Sequence, residues 1–338
     1  MERQKRRPGI ADVARVAGVS VPTVSRVLNG TARVSEKRRA VVLEAVKTLG
    51  YHPNAAALAL VTGRPSLVSV LTSDTMRYGY ASTIQGVEEA ARAAGRVAAI
   101  TVVGSSSAQE LRQAVDLALS QPVAGVIILE FDESGALAIQ QIPRSVPLAV
   151  VSPAPHVDVP HVLFDDRSGG AEATRYLLGL GHRTVHHVSA PSTGHTSGRL
   201  LGWQDALREA GVVAPEVVPA DWSPASGYEA GLRLAGQDGV TAVFCGNDEI
   251  AFGVIRALQA SGLRVPEDIS VVGFDDHPLA PLWTPSLTTI SQDFVQLGRA
   301  AVRLLLDTQE PAEDAGPLAG EGPVPHLVVR ESSAPPSR

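Results

Sequence analysis

Few side chains in this sequence stand at spacings that enzymes use. The string Gly194-His195-Thr196-Ser197-Gly198 comes near a nucleophile elbow, but its centre is a threonine and it precedes a helix without the required pattern. Adjacent Asp275 and Asp276 point different ways and cannot flank a bond as a catalytic carboxylate pair does. His182, His186 and His187 lack a set of metal ligands, and no P-loop or dinucleotide fingerprint is present. The single cysteine, Cys245, lies in the apolar run Ala242–Cys245, the setting of a buried, inert thiol. A protein that is not an enzyme, with no cofactor and no metal, is expected.

The chemistry that the residue types do support is binding to a polyanion. Residues 1–64 hold twelve Lys/Arg against four acids, a net +8, so the remainder carries −14 within a chain of net charge −6. Clustered cations neutralise phosphates, while an acidic body stays soluble, so nucleic acid suits the front end alone. No apolar run approaches the ~18 residues of a membrane span, and the basic N-terminus leads into a polar, periodic stretch instead of an apolar signal core. A cytoplasmic protein without membrane contact is the expectation.

These charges need elements to position them. Ile10, Val13, Ala14 and Ala17 recur at helical spacing before the break Gly18-Val19-Ser20. A second helix is predicted over Val21–Leu28, capped by Ser20 with Pro22 in its first turn. A third, capped by Ser35 and stopped by Gly50, would bury Val41, Val42, Ala45, Val46 and Leu49. Three short helices with a tight glycine turn make a helix-turn-helix module, Val24 and Val27 serving its core. After Pro53, an Ala-rich stretch from Asn54 to Leu60, closed by Gly63-Arg64-Pro65, is too short to be a stable helix alone.

At 338 residues the chain should hold two or three domains, and with 44% hydrophobic residues a sizeable core. From Leu67 onward, short β-branched runs alternate with amphipathic helices. Strands are predicted at Leu67–Leu71, Val97–Val103, Gly125–Leu129, Leu148–Val151, Val162–Phe164, Val185–Val188, Glu216–Val218, Ala242–Cys245, Ile269–Phe274 and Leu327–Val329. Ten strands fill two parallel sheets better than one, and a cleft between two α/β lobes is a usual ligand site. The Ser/Pro-rich tail after Glu331 is expected to fray.

Ile10-Ala11-Asp12-Val13-Ala14 with Gly18-Val19-Ser20, then Thr23-Val24-Ser25-Arg26-Val27-Leu28-Asn29, Val34-Ser35, Leu49-Gly50-Tyr51 and Pro53-Asn54 resemble the DNA-binding head of the lactose-repressor (LacI/GalR) family. The likeness continues through Gly181-His182-Arg183, Gly202-Trp203, Gly246-Asn247-Asp248, Gly273-Phe274-Asp275-Asp276, Leu287-Thr288-Thr289-Ile290 and Val328-Val329-Arg330, about residues 10–332 in all. It implies a helix-turn-helix head over 1–52 and a hinge helix over 53–65. Beyond these come one lobe of a periplasmic-binding-protein-like α/β core (66–163 with about 291–322), a second lobe (164–290 with about 323–332) and a tail at 333–338.

For DNA, the resemblance places Val21 and Pro22 at the leading edge of a major-groove helix, where they offer only apolar contacts. Arg26 would reach a guanine edge or a phosphate, while Thr23, Ser25 and Asn29 contact phosphates and set register. Asn54, Ala57 and Leu60 would enter the minor groove with the hinge helix, Leu60 as the wedge between base steps. For a small-molecule effector the resemblance gathers Asp74, Ser152, Phe164, Arg199, Trp222, Asn247, Asp275 and Gln292. Their mixed donors and acceptors fix hydroxyl groups and the indole offers a flat face, which favours a sugar or glycoside. Departures temper this: Arg77-Tyr78-Gly79-Tyr80 replaces the family's Asn-Pro-Phe-Phe, and Ser152 stands where a sugar-binding Asp is expected. Asn247 and Asp275 are also placed to cap local turns.

The implied function is a homodimeric repressor of a carbohydrate-utilisation operon, released from a pseudo-palindromic operator by its sugar. The alternatives are corepression by a purine or another metabolite and, more remotely, a stand-alone sugar-binding protein.

Overall fold

The computed structural model describes residues 8–29, 34–51, 65–104, 107–191, 197–308, 319–320 and 322–337. Asn54, Ala57 and Leu60 lie outside the described residues. Two compact units divide at Pro65/Ser66.

In the first unit, α1 (Ile10–Ala17), α2 (Val21–Asn29) and α3 (Glu36–Leu49) enclose Val13, Ala14, Ala17, Val24, Val27, Val42 and Ala45. Gly18 and Gly50 end α1 and α3 at φ 63° and 57°, a left-handed conformation that only glycine adopts without strain. Val24 and Val27 are buried as their spacing predicts, which leaves Val21, Pro22 and Arg26 exposed on the other side of α2. Ser35 stands at the N-cap of α3, but its hydroxyl makes no capping bond. Val41, expected inside, is 44% exposed because the helix turns Val42 and Ala45 inward instead.

Among the described residues, the second unit contains two six-stranded sheets. The first has the order β11-β5-β4-β3-β1-β2 and is parallel throughout. Its strands are β1 (Leu67–Thr72), β2 (Val97–Val102), β3 (Val123–Leu129), β4 (Leu148–Ser152), β5 (His161–Leu163) and β11 (Ala319–Gly320). The second has the order β12-β10-β9-β8-β6-β7, parallel except where β10 meets β12. It is built from β6 (His186–Ser189), β7 (Val218–Pro219), β8 (Ala242–Cys245), β9 (Ser270–Asp275), β10 (Thr288–Ser291) and β12 (His326–Val328). Strands buried on both faces explain the near-continuous apolar runs, such as Val123–Leu129.

The helices α4 (Tyr78–Ala93), α5 (Ala108–Ala118), α6 (Glu133–Ile139) and α11 (Phe294–Asp307) cover the first sheet. The second is covered by α7 (Asp166–Gly179), α8 (Gly198–Glu209), α9 (Pro224–Ala235) and α10 (Asp248–Ala260). Glycine lets α7 and α8 touch: a Cβ on Gly202 would lie 2.1 Å from the Arg167 carbonyl oxygen. The chain passes between the lobes after β5, after β10 and again after β11, and the first two passages share a local design. Asp165 and Asp293 cap α7 and α11 through their carboxylates at nearly the same φ and ψ, and Gln292 Nε2 donates to Asp166 Oδ1 at 2.9 Å, tying one passage to the other.

Two expectations need correction. β10, whose Thr-Thr-Ile-Ser run is short and carries three hydroxyl residues in four, is not among the predicted strands; it is buried because β9 and β12 flank it. The tail does not fray over residues 333–337. Tyr176 and Thr288 hydroxyls pair with Ser333 Oγ, Ser270 and Ala334 exchange two bonds, His182 Nε2 lies 3.0 Å from the Ala334 carbonyl, and Ser337 donates to Glu267. Side chains and the Glu267 carbonyl, all distant in sequence, supply the partners that a Ser/Pro-rich segment cannot supply for itself.

Candidate ligand-binding site

A cavity of about 460 Å³ opens between the lobes at the carboxyl ends of the strands. Phe131 follows β3, Pro153 follows β4, Phe164 follows β5, Asn247 follows β8, and Asp275 ends β9. This is where open parallel sheets present side chains to a ligand, because strand-to-helix turns cluster there.

At the centre lies Arg199, 5% exposed, on the first turn of α8. Its Nε donates to Asp166 Oδ2 at 3.0 Å, Nη1 donates to the Gly246 carbonyl, and Nη2 lies 3.1 Å from Asp275 Oδ1. The last contact pairs charges, and that carboxylate oxygen is buried with no hydrogen-bond partner among the described residues. Arg199 also lies over Phe274, 4.0 Å from the ring centroid, with Trp222 at 5.8 Å.

The acids here outnumber their counter-charge. Burial pushes the Asp275 carboxyl up to about 7, against the pull of Arg199, and Asp166 beside it pushes the same way. Asp166 is raised by burial, with Arg199 and Gln292 acting against it. Asp248 is raised well above the usual carboxylate range, again by burial; it accepts from Thr289 Oγ1 at 2.5 Å and from the His277 amide at 2.7 Å. Burial works against the Arg199 cation, yet Asp166 and Asp275 hold it protonated. Asp275 and Asp276 have φ of 109° and 54°, rare for residues with a Cβ, and Asp276 is fixed by Arg330 at 2.6 Å.

The other lobe contributes a different surface. Tyr80, Phe164 and Phe294 are about 5% exposed, and Phe131 meets Tyr80 and Phe164 edge-on at 4.9 and 5.2 Å between centroids. Tyr78 reaches across the cleft to His277, ring centroids 5.0 Å apart.

Of the residues expected to touch an effector, Phe164, Arg199, Trp222, Asn247 and Asp275 line the cavity. Asn247 does so while its Oδ1 caps α10 at Ile250, so the capping and ligand roles coexist. Three others stand off it. Asp74 accepts from the Met76 and Arg77 amides and pairs with Arg77. Ser152 Oγ is taken up by the Ala154 backbone. Gln292 stands behind Asp166 and braces it. Reasoning from sequence missed Asp166, which looks like one more helix-start acid, and, Phe164 apart, the aromatic wall, whose members are scattered from Tyr78 to Phe294 without a shared motif.

A helix-turn-helix head followed by a two-lobed α/β core with a polar cleft defines a DNA-binding regulator that carries a small-molecule pocket. Family profiles agree: bacterial regulatory proteins, lacI family, match residues 9–54, and the periplasmic binding protein-like domain matches residues 174–333. The chain is 37% identical over 337 residues to the HTH-type transcriptional repressor PurR of Pectobacterium carotovorum subsp. carotovorum (strain PC1), spanning 96% of both chains. Its fold matches the lac repressor dimer bound to operator and the anti-inducer ONPF with a TM-score of 0.85 at 31% identity, over 97% of this chain and 100% of that one. It also matches the complex of the transcriptional regulator CelR with cellobiose, TM-score 0.71 at 33% identity, over 96% and 100%. The chain belongs to the lacI family of bacterial regulatory proteins and is a transcriptional repressor of that family.

Proposed function

We propose that this repressor is released from its operator by a neutral sugar or glycoside bound between its lobes, and that it controls a carbohydrate-utilisation operon. The observation that carries the reading is Trp222 beside Arg199, Asn247 and Asp275: a flat indole for the C–H face of a sugar ring, with a guanidinium, an amide and a carboxylate for its hydroxyls. Asp275 accepts from a hydroxyl when ionised and donates when protonated; Asn247 Nδ2 donates while its Oδ1 stays on α10.

In this reading two chains form a homodimer on a pseudo-palindromic operator. Val21, Pro22 and Arg26 of α2 meet base edges, and Thr23, Ser25 and Asn29 meet phosphates. The segment 53–65 carries Asn54, Ala57 and Leu60 into the minor groove. A ligand that draws the lobes together changes the spacing at which the two hinge segments leave the cores. Reciprocity then requires ligand and operator to weaken each other by a coupling of about 1–3 kcal/mol.

A second reading, corepression by a purine, draws support from the 37% identity to a PurR repressor and from an aromatic wall able to stack a heterocycle. The sign separates them. Operator duplexes selected from a random pool are titrated by fluorescence anisotropy with a saccharide panel and with hypoxanthine and guanine. Weakened DNA binding with a saccharide supports release; tightening by a purine with no response to any saccharide refutes it. Trp222→Ala should lose at least tenfold in saccharide affinity and keep its operator affinity in the absence of ligand.

A further inference from the structure

Two opposite charges line the cavity from opposite lobes, and they do not pair. Arg77 is the N-cap of α4 and, among the described residues, the one cation that the N-terminal lobe contributes to the lining. Its Nε lies 3.3 Å from Asp74 Oδ2, and Asp74 also accepts from the Met76 and Arg77 amides, so this acid fixes the start of α4 and the guanidinium together. The two Nη groups have no partner among the described residues, and the side chain is 41% exposed. Glu249 lines the same cavity from the first turn of α10 in the C-terminal lobe. It is half-buried, and its carboxylate has no hydrogen bond or ion pair among the described residues.

The two groups lie within each other's field. Burial raises the Glu249 carboxyl, Arg77 pulls it down from across the cleft, and Asp74 pushes it up. Beside Arg77, Tyr78 touches His277 with ring centroids 5.0 Å apart, so the start of α4 reaches the opposite lobe. Asp221, the other acid of that lobe that feels Arg77, is exposed and takes the Ser223 amide at 2.6 Å. The remaining cations of the lining are committed: Arg199 to Asp166 and Asp275, and Arg167 to Asp205.

Drawing the lobes together buries Glu249 further. An unpaired carboxylate opposes that movement, because losing its water is costly. A guanidinium brought within reach removes the opposition and presents its N–H groups in the planar fork that a carboxylate accepts.

We infer that Arg77 and Glu249 form a latch: as an effector draws the lobes together, the Arg77 Nη groups close on the Glu249 carboxylate while Nε stays on Asp74, and this ion pair holds the closed form. The inference rests on the reading that a sugar or a purine binds between the lobes, and it adds the contact that keeps them closed. Arg77 and Glu249 act on each other, not on the ligand.

The test is isothermal titration calorimetry on the full chain with the saccharide panel, hypoxanthine and guanine, all uncharged at neutral pH; the tightest binder among them is the probe. Arg77→Gln and Glu249→Gln should each weaken it by about three- to tenfold, and the double variant should lose no more than either alone, because one contact is lost once. Arg77→Glu combined with Glu249→Arg should recover to within about twofold of the wild type, which neither reversal does alone. Raising NaCl from about 0.05 M to about 0.5 M should weaken binding of the uncharged probe by the wild type and leave Arg77→Gln unchanged, because salt screens an ion pair at the mouth. Should the reversed chain not fold, the glutamine variants decide. Losses that multiply in the double glutamine variant, or a Glu249→Gln chain that binds as tightly as the wild type, overturn the latch and leave the effector site standing. Silence from every compound overturns both.

Discussion

Asp275→Asn should flatten the pH dependence of the core's stability, and the size of the effect follows from the site. Burial beside Asp166 holds the Asp275 carboxyl at about 7 in the folded protein, against ~3.9 in an unfolded chain. Its folded value lies above its unfolded one, so the folded state binds more protons between those two pH values. The stability linked to this proton is complete below about pH 4 and is lost as pH rises through about 7. A displacement of that size corresponds to ~4 kcal/mol at most. Asparagine is neutral at every pH and tolerates the φ of 109° at least as well, while Arg199 keeps Asp166 and the Gly246 carbonyl. Asp248 is raised too and remains in the variant, so part of the slope persists.

Tryptophan fluorescence melts report this unit directly, because Trp203, Trp222 and Trp283 all lie in Ser66–Arg338. At ~2 °C per kcal/mol for a domain of this size, the fall in midpoint from pH 4.5 to 7.5 should be smaller in Asp275→Asn by up to roughly 8 °C. Parallel curves for the two proteins would show that Asp275 is ionised throughout and that the surplus of acid around Arg199 is relieved some other way.

Arg26→Ala should weaken operator binding and lower the slope of log K against log[salt] by about 1 if Arg26 meets a phosphate, or relax specificity at one base if it meets guanine; binding unchanged at every salt and sequence would remove it from the interface. Gly202→Ala drives a methyl into the Arg167 carbonyl and should destabilise the core by about 1–3 kcal/mol, read as a lower fluorescence midpoint, whereas an unchanged midpoint would mean that α7 and α8 part without cost. Removing residues 333–338 deletes the bonds to Tyr176, His182 and Ser270 and should cost roughly 2–4 kcal/mol from a few net hydrogen bonds. A truncated chain that melts with the full one would return the tail to the frayed state its composition suggests.

Local features account for most of what was legible. Glycine after α1 and α3, apolar residues at helical spacing, and β-branched runs in parallel strands express preferences that act within a few residues. That is why α1, α2 and the strand Ala242–Cys245 were readable to within a residue or two. Elements held mainly by neighbours escaped: β10 is a strand because β9 and β12 flank it, and β11 pairs two residues with β5. The site divides along the same line. Arg199, Trp222, Asn247 and Asp275 were recognisable from the strings around them. Asp74, Ser152 and Gln292 had the right types but spend their polar atoms on neighbours, which no string reveals.

By itself the sequence determined a basic helix-turn-helix front and a parallel α/β body, because periodicity, turn residues and charge are local and additive along the chain, while its motif strings carried the family resemblance. Only the tertiary structure decided that three acids crowd one arginine, that the tail is held, and that the cleft is polar on one side and aromatic on the other. Asp166 and Gln292 are 126 residues apart, and Phe131 meets Phe294 only because the chain has left the first lobe after β5 and returned after β10. Burial, pKa and the free or engaged state of a hydroxyl depend on such neighbours, and those neighbours exist only once the sheets have formed.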